Sequence, residues 1–231
     1  MSSSKSHAHP AASTHFRLVL VDDHPVVIDG YRQMLNAQPD LKVCAAVGTV
    51  PAALEAVERE RPDLVLADLT MPGRGGLDLV KDLAVLHPDV KVLVCSMHDE
   101  MLYAERALKA GARGYVMKES DHETMLSAVR QILAGGLYLS PRLASRVLGA
   151  FAAPRPRGST TSPLEKLSDR EFEVFRLFGE GRTAKEIAQQ LHVSPKTVSV
   201  HRDHIKAKLS FPTSAEMIRQ AVRWVESDRL A

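Results

Sequence analysis

Short, continuously apolar segments alternate with amphipathic segments through the first half of the chain. The apolar segments are FRLVLV (16–21), KVCAAV (42–47), LVLAD (64–68), KVLVCS (91–96) and GYVM (114–117). Continuous apolar runs are typical of strands that are buried on both faces. The segments between them, such as VPAALEAVERE (50–60) and GLDLVKDLAVLH (76–87), space their apolar residues as helices do. This order predicts an α/β fold with a doubly wound, five-stranded parallel sheet.

The pattern changes after the helical segment DHETMLSAVRQILAGG (121–136). A short helix is expected at 140–151, and the segment 152–163 is rich in Pro, Gly, Ser and Thr, which is typical of a linker. The rest of the chain is helical in pattern throughout. We therefore predict four parts, which are a disordered leader (1–15), an α/β domain (16–137), a linker with a short helix (138–163) and an all-α domain (164–231).

Charge divides the chain in the same way. Residues 16–139 hold 13 basic and 18 acidic side chains, a net −5, whereas residues 164–231 hold 12 basic and 10 acidic ones, a net +2. The segment 140–163 adds four arginines and no acid. An acidic first domain followed by a basic second part suits a cation site followed by a nucleic-acid site.

The composition argues against several other classes of protein. Only two cysteines are present, Cys44 and Cys95, and both lie in strand-like segments, which favours buried thiols over a disulfide or a metal site. No apolar stretch approaches the roughly 18 residues that span a membrane, and the N-terminal segment lacks the apolar core of a signal peptide. We therefore expect a cytoplasmic protein that does not engage a membrane.

Polar residues that can carry chemistry follow four of the five predicted strands. Asp22 and Asp23 end the first strand, Asp68 ends the third, Ser96 the fourth and Lys118 the fifth. The carboxyl ends of parallel strands lie along one edge of a sheet, so these side chains are expected to share a pocket. Capping of the following helix would explain Asp22 and Asp23 alone, but it would not explain the other strand ends.

The chemistry of these residues points to a divalent cation and a phosphoryl group. Three neighbouring carboxylates repel one another and need a cation. Mg²⁺ suits such a site, because it binds one or two carboxylates together with a phosphoryl oxygen. A carboxylate can also attack phosphorus and form an aspartyl phosphate, whose oxygens a lysine and a hydroxyl can hold.

The motifs VDDHP, LADLTMPG, VCSMHD and GYVMKE resemble those of the receiver domain of two-component response regulators, over about residues 15–137. The resemblance implies a flavodoxin-like fold and makes Asp68 the phosphoacceptor. It also implies that Asp23 is the main side-chain ligand of Mg²⁺. Asp22, Asp68 itself and the backbone carbonyl of Thr70 are implied as further ligands.

The same resemblance implies which groups sense the phosphoryl group. Ser96 and Lys118 match the sensing pair, and Tyr115 matches the aromatic switch position. Packing at the sheet edge would also explain an aromatic residue at Tyr115. Met97 stands where receivers often have a small residue. Its side chain could cover the site or pack against the next helix, and the sequence leaves both open.

The segment 167–209 predicts a helix followed by two more helices that are joined by a tight turn. Ser168 and Glu171 form a capping box at the start of the first helix, and Gly179 and Gly181 end it. Ser194 is a good N-cap for the third helix. Two helices joined in this way are the signature of a helix-turn-helix, although a plain helical bundle would show the same apolar spacing.

The run EFEVFRLFGEGRTAKEIAQQLHVSPKTVSVHRDHIKAKL resembles the LuxR-type DNA-binding domain that follows receivers in the NarL/FixJ family, over roughly residues 164–228. The resemblance implies double-stranded DNA as a partner and a homodimer that reads two half-sites. A further helix (213–225) commonly supplies a dimer contact in that family. Met217, Ala221 and Trp224 fit one face of it, but the same spacing fits core-facing residues.

The third helix of this domain is the expected recognition helix. At about 100° per residue, Val198, Ile205 and Leu209 face the core, and the opposite side is expected to meet DNA. The residues expected to contact DNA are Lys196, Thr197, Ser199, Val200, His201, Asp203, His204 and Lys206.

Some of these contacts have an expected role. Lys196 and Thr197 would contact phosphate, and Val200 suits a thymine methyl group. Asp203 either accepts a hydrogen bond from a cytosine amino group or pairs with Lys206 along the helix, and both interpretations stay open.

Together, the two resemblances imply a response regulator transcription factor. A partner histidine kinase would phosphorylate Asp68 and thereby control DNA binding, and the protein would have no enzyme activity beyond this acceptance and slow autodephosphorylation. A phosphohydrolase of the haloacid-dehalogenase type is an alternative, but those enzymes need a second acid two residues after the nucleophile, where this chain has Thr70. A DNA-binding protein with a vestigial receiver is another, and the intact acids, Ser96 and Lys118 argue against it.

Overall fold

The computed structural model describes residues 15–71, 74–145 and 163–229. The predicted leader up to residue 14, the linker segment 146–162 and the dipeptide at 72–73 lie outside the described residues. Among the helices of the described residues, none is long and apolar enough to cross a membrane.

The N-terminal domain is a five-stranded, all-parallel sheet with helices on both faces, which confirms the predicted fold class. The strands are β1 (Phe16–Val21), β2 (Leu41–Val47), β3 (Leu64–Ala67), β4 (Lys91–Ser96) and β5 (Gly114–Met117). The helices are α1 (Pro25–Asn36), α2 (Val50–Glu60), α3 (Gly76–Leu86), α4 (Glu100–Ala110) and α5 (His122–Leu133). The strand order is β2-β1-β3-β4-β5. The order reverses between β1 and β3, so a crevice is expected at the carboxyl ends of these two strands.

Alternate residues of the central strands supply the two hydrophobic cores of this domain. In β1, Leu18 and Leu20 pack with α1 and α5 on one side of the sheet. Val19 and Val21 pack with α2, α3 and α4 on the other side. All four side chains are at most 1% exposed. Burial on both faces explains why the sequence of β1 is continuously apolar.

The two cysteines differ in burial because their strands differ in position. Cys95 lies in the interior strand β4 and is 2% exposed. Cys44 lies in the edge strand β2 and is only half-buried, with its Sγ donating to the Leu18 carbonyl oxygen over 3.1 Å. Both thiols are free. The prediction of two buried thiols is therefore right for Cys95 and too strong for Cys44.

The C-terminal domain consists of a 3₁₀ turn (Pro163–Lys166) and four helices. The helices are α6 (Asp169–Gly179), α7 (Ala184–Gln190), α8 (Pro195–Leu209) and α9 (Ser214–Arg229). The predicted capping box is present at the start of α6, where the Ser168 and Glu171 side chains each accept from the other residue's backbone N–H. The tight turn between α7 and α8 places His192 in the left-handed region, with φ 52°.

Helix α9 packs against α6 within the protomer. A Cβ at Gly179 would lie 2.5 Å from the Ala221 carbonyl oxygen, so the two helices approach closely there. Met217 and Ala221 are fully buried. These two residues therefore belong to the core of the protomer, and their own side chains are not available for a dimer contact. The helix continues to Arg229, past the predicted end at residue 225, because neither Gly nor Pro interrupts the sequence.

The two domains contact each other through α4 and α6. The Tyr103 hydroxyl accepts a hydrogen bond from Arg176 Nε over 3.1 Å, and the Arg106 guanidinium lies 4.1 Å from the centre of the Phe172 ring. Tyr103 and Phe172 are each 3% exposed. The hydrophobic core is continuous across this contact.

Gly76 is required where α3 begins. A Cβ at this position would lie 1.8 Å from the backbone oxygen of Asp68. We expect Gly76→Ala to lower the free energy of unfolding by about 3 kcal/mol, because the backbone after β3 must move. In the control variant Gly30→Ala a Cβ meets no heavy atom within 4 Å, and the change should raise the free energy of unfolding by about 0.5 kcal/mol. Denaturant unfolding measures both. Equal effects at the two glycines would contradict the close approach.

Candidate functional site

Side chains from three of the strand ends meet in one buried pocket. Lys118 Nζ lies 2.5 Å from Asp22 Oδ2 and 2.9 Å from Asp68 Oδ2. The exposed fractions of the three side chains are 7% for Asp22, 4% for Asp68 and 6% for Lys118. The ammonium group offsets the repulsion between two carboxylates that are both removed from water.

Burial and charge set the ionisation of this pocket. Burial raises the pKa of Asp68 above the usual range of an aspartate, and the contact with Lys118 only partly opposes the shift. For Lys118, burial alone would lower the pKa, but the contacts with Asp22 and Asp68 outweigh burial and raise it. Lys118 is therefore firmly charged, and the ionised form of Asp68 depends on it.

Four residues after β1 and β3 have the donor atoms to bind a cation. One atom each from Asp22, Asp23, His24 and Asp68 lie within 4.8 Å of one another. Among the described residues, Asp23 Oδ1 is buried without a hydrogen-bond partner, although His24 Nδ1 lies 2.9 Å away. A buried carboxylate oxygen in this state costs free energy unless a cation or water binds it. The three carboxylates fit Mg²⁺, whereas the imidazole of His24, which the sequence analysis did not include, suits softer metals.

Ser96 and Tyr115 both bind the backbone of His98, in the loop between β4 and α4. Ser96 Oγ accepts from the His98 backbone N–H over 3.2 Å, and the Tyr115 hydroxyl donates to the His98 carbonyl oxygen over 2.7 Å. Ser96 and Tyr115 are both fully buried. Tyr115 therefore does more than pack at the sheet edge, because it holds the loop that follows Ser96. Met97 in that loop is 58% exposed, so most of its side chain faces solvent.

The side chain of His98 connects this loop to the loop after β3. Its Nε2 lies 2.8 Å from Thr70 Oγ1, and its ring stacks on Tyr103 with the ring centres 4.8 Å apart. Burial lowers the pKa of His98 to about 3, and the charges of Arg176 and Lys118 act in the same direction. The ring is therefore neutral at physiological pH. His98 is not among the residues predicted from the sequence, where its only signal is its place two residues after Ser96.

The exposed side of α8 carries most of the residues predicted to contact DNA. Val198 and Ile205 are fully buried, as the helical spacing predicted. Lys196, Val200, Asp203 and His204 are exposed, and Thr197, Ser199, His201 and Lys206 are half-buried. Val200 is 45% exposed, which leaves an apolar group on a solvated face.

Asp203 forms the helical ion pair that its spacing allows. Its Oδ1 lies 3.1 Å from Lys206 Nζ and 4.0 Å from Arg202 Nε. The Asp203 side chain remains 58% exposed, and exposed pairs of this kind are weak. The carboxylate can therefore leave Lys206 for another partner. His201 on the same helix is half-buried, and burial lowers its pKa.

Two protein-family models match this chain, one over the acidic pocket and one over the predicted DNA-contacting helices. The family model described as "Response regulator receiver domain" matches residues 18–130, which contain the buried acidic pocket. The family model described as "Bacterial regulatory proteins, luxR family" matches residues 165–221, which contain α6, α7 and α8.

Individual relatives match either most of this chain or a part of it. Oxygen regulatory protein NreC of Staphylococcus carnosus is 34% identical over 210 residues, which cover 90% of this chain and 97% of that protein. A crystal structure of a LuxR-family two-component response regulator from Aurantimonas sp. SI85-9A1 is 34% identical, with a TM-score of 0.56, and covers 60% of this chain and 99% of that chain. A structure of the RcsB response regulator of Salmonella typhimurium is 25% identical, with a TM-score of 0.55, and covers 90% of this chain and 98% of that chain.

Replacement of Lys118 should show how strongly the two buried carboxylates destabilise the fold without a neighbouring cation. We expect Lys118→Met to lower the free energy of unfolding by about 3 kcal/mol, because two buried carboxylates lose their cation. The pKa of Asp68 would rise further, and a carboxylate whose folded-state pKa is raised loses stability as the pH increases. The deficit should therefore be smaller at about pH 5 than at about pH 8.

Denaturant unfolding at both pH values measures this deficit. The control is Lys109→Met, which removes an exposed ion pair with Glu105 and should cost at most about 0.5 kcal/mol. A deficit for Lys118→Met that is no larger than the control's would contradict the described pocket.

Proposed function

This chain belongs to the response regulators that join a receiver domain to a LuxR-type DNA-binding domain, and on that basis we propose that Asp68 is its phosphoacceptor. The observation that carries the proposal is the contact of Lys118 with Asp22 and Asp68, beside an Asp23 oxygen that is buried without a hydrogen-bond partner among the described residues. These groups offer a nucleophile, a place for a divalent cation and a positive charge for phosphoryl oxygens. Phosphorylation of Asp68 then controls transcription through DNA binding.

Asp68 is suited to attack phosphorus because Lys118 favours its ionised form. A carboxylate oxygen of Asp68 forms the new P–O bond, while the P–N bond to a phosphorylated histidine of a partner kinase breaks. The electron pair of that bond passes to the imidazole of the kinase, which then takes up a proton. Lys118 stabilises the carboxylate form that attacks, so the acceptor chain needs no general base.

Mg²⁺ is the cofactor that fits this donor set. Asp23, Asp22 and Asp68 would hold it through carboxylate oxygens, and Thr70 through its backbone carbonyl. The bound cation supplies positive charge to the incoming phosphoryl oxygens. Asp23 Oδ1, which has no hydrogen-bond partner among the described residues, would gain a ligand.

Ser96 and Lys118 are the groups that sense the phosphoryl group in this proposal. Lys118 Nζ already contacts the Asp68 carboxylate and can reach oxygens attached to it. The Ser96 hydroxyl now accepts from the His98 N–H, and it can donate to a phosphoryl oxygen when its side chain turns. Because Tyr115 holds the same loop at the His98 carbonyl, it is the switch residue that the movement of Ser96 affects.

Helix α8 is the proposed recognition helix for the major groove of double-stranded DNA. Lys196 and Thr197 at its start contact phosphate, and Val200 lies against a thymine methyl group. The match to the luxR family supports this assignment, as does RcsB, a relative whose solved structure concerns DNA interaction. A homodimer that forms on phosphorylation or on DNA reads two half-sites. The other partner is a sensor histidine kinase, which this chain meets in the cytoplasm.

Replacement of the phosphoacceptor should abolish modification. Asp68→Asn should gain no phosphoryl group from a small phosphodonor with Mg²⁺, because an amide is not a nucleophile toward phosphorus. Asp29→Asn, whose aspartate is 76% exposed on α1, is the control and should be modified like the wild type. Intact mass measures incorporation. Incorporation in Asp68→Asn equal to that in the wild type would refute the assignment. Continuous release of phosphate from the donor by the wild type would instead indicate a phosphohydrolase.

The two kinds of contact proposed for α8 differ in their salt dependence. Lys196→Ala should weaken binding to all DNA sequences alike and lower the salt slope by about one unit, because one phosphate contact is lost. Asp203→Ala should relax the preference at one base pair if the carboxylate accepts from cytosine. Uniform tightening would instead identify Asp203 as a repulsive charge that pairs with Lys206.

Binding titrations at several salt concentrations, on DNA sites with single base changes, measure both effects. Lys42→Ala, on the exposed edge of β2, is the charge control and should leave the salt slope unchanged. A loss for Lys196→Ala that is confined to one DNA sequence would contradict a phosphate contact.

A further inference from the structure

His98 lies between the phosphoacceptor pocket and the DNA-binding domain. Its backbone is bound by Ser96 and Tyr115, and its Nε2 lies 2.8 Å from Thr70 Oγ1, in the loop after the phosphoacceptor. On the other side, its ring stacks on Tyr103 of α4 at 4.8 Å and an angle of 20° between the planes. One side chain therefore contacts a loop of the pocket and the surface of α4.

Tyr103 continues this contact into the DNA-binding domain. Its hydroxyl accepts from Arg176 Nε over 3.1 Å, and its ring meets Phe172 edge-on with the centres 5.4 Å apart. Phe172 in turn meets Trp224 of α9 edge-on, also at 5.4 Å. If the hydrogen bond between the Tyr103 hydroxyl and the Arg176 guanidinium is broken while both groups remain buried, each group incurs a desolvation cost. The position of the Tyr103 ring thus decides how well α6 fits on α4.

Ion pairs lie at the edge of the contact between α4 and α6. Asp169, the first residue of α6, accepts from Lys81 Nζ over 2.6 Å and from Arg106 over 3.1 Å. Arg106 also donates to the Leu164 and Leu167 carbonyl oxygens, over 2.7 Å and 3.1 Å. These contacts hold the DNA-binding domain against α3 and α4.

The docked domain leaves the recognition face of α8 open. Lys196, Val200 and Asp203 are exposed while α6 contacts α4. Docking therefore does not cover the residues proposed to meet DNA. It fixes the direction of the recognition helix, and it occupies a part of α4 that cannot contact a second copy of the chain at the same time.

We propose that His98 is a positioning residue that couples the state of Asp68 to the docking of α6 on α4, so that phosphorylation releases the DNA-binding domain. The phosphorylation step rests on the proposed function, whereas the docking role of His98 does not. When the Ser96 hydroxyl turns toward the phosphoryl group, the His98 N–H loses its acceptor and the loop shifts. The ring of His98 then no longer supports Tyr103, and the contact with Arg176 is lost.

The docking role is tested on the unmodified full-length chain by ¹⁵N relaxation. In the wild type the two domains should share one rotational correlation time. In His98→Ala they should have different, shorter correlation times, whereas Met97→Ala, at an exposed neighbouring position, should behave like the wild type. A His98→Ala chain that tumbles as one body overturns the positioning role.

A second variant guards against a general loss of folding. Tyr103→Phe keeps the ring under His98 and removes only the hydroxyl that accepts from Arg176. It should also separate the two correlation times, with the sheet and helices of each domain intact by chemical shift. A Tyr103→Phe chain that stays docked counts against Tyr103 as the connection.

The coupling is tested by the same measurement after treatment with a small phosphodonor and Mg²⁺, with incorporation followed by intact mass. The phosphorylated wild type should show two different correlation times, and His98→Ala should be phosphorylated equally but show no further change. A phosphorylated wild type with one common correlation time overturns the coupling. A wild type that gains no phosphoryl group refutes the proposed function instead, and the measurement without donor still decides the role of His98.

Discussion

The contact of Lys118 with Asp22 and Asp68 is the constraint on which the N-terminal domain depends. Two carboxylates that are removed from water need a cation, and the cation must come from a third strand end. The parallel sheet meets this need because β1, β3 and β5 end along the same edge. Gly76 lets α3 begin directly against the backbone of Asp68. A change in the charge or position of the Asp68 side chain therefore affects the residues at the ends of β1 and β5 as well.

Helix α4 connects the pocket to the second domain, because Tyr103 contacts both His98 and Arg176. The contact of α6 with α3 and α4 combines a half-exposed ion pair between Lys81 of α3 and Asp169, and a buried part centred on Tyr103 of α4 and Arg176. The exposed pair contributes at most about 1 kcal/mol. The buried part decides the strength of docking, and it lies directly beside His98. In the proposed coupling, modification of Asp68 acts on this contact because the buried part adjoins the loop that contains His98.

The sequence predicts those features that are set within one element. Continuous apolar runs identify β1 because both of its faces are buried, and Ser168 with Glu171 identifies the start of α6 because a capping box is local. The role of His98 is different, because it depends on Thr70, which lies 28 positions away in the chain and meets it only in the folded sheet. Helical spacing likewise shows which side of α9 is apolar, but it does not tell whether Met217 and Ala221 face α6 or a second protomer.

The central claim is that the pocket at Asp68 and the docking surface of α6 are one connected system. The most direct measurement is a titration of the ¹⁵N-labelled full-length chain with beryllofluoride and Mg²⁺, a phosphoryl analogue, followed through amide chemical shifts. We expect shifts at Asp68 and Lys118 that continue through His98 and Tyr103 to Arg176, at a single common midpoint. Shifts that stop at the strand ends and leave Tyr103 and Arg176 unchanged would contradict the central claim.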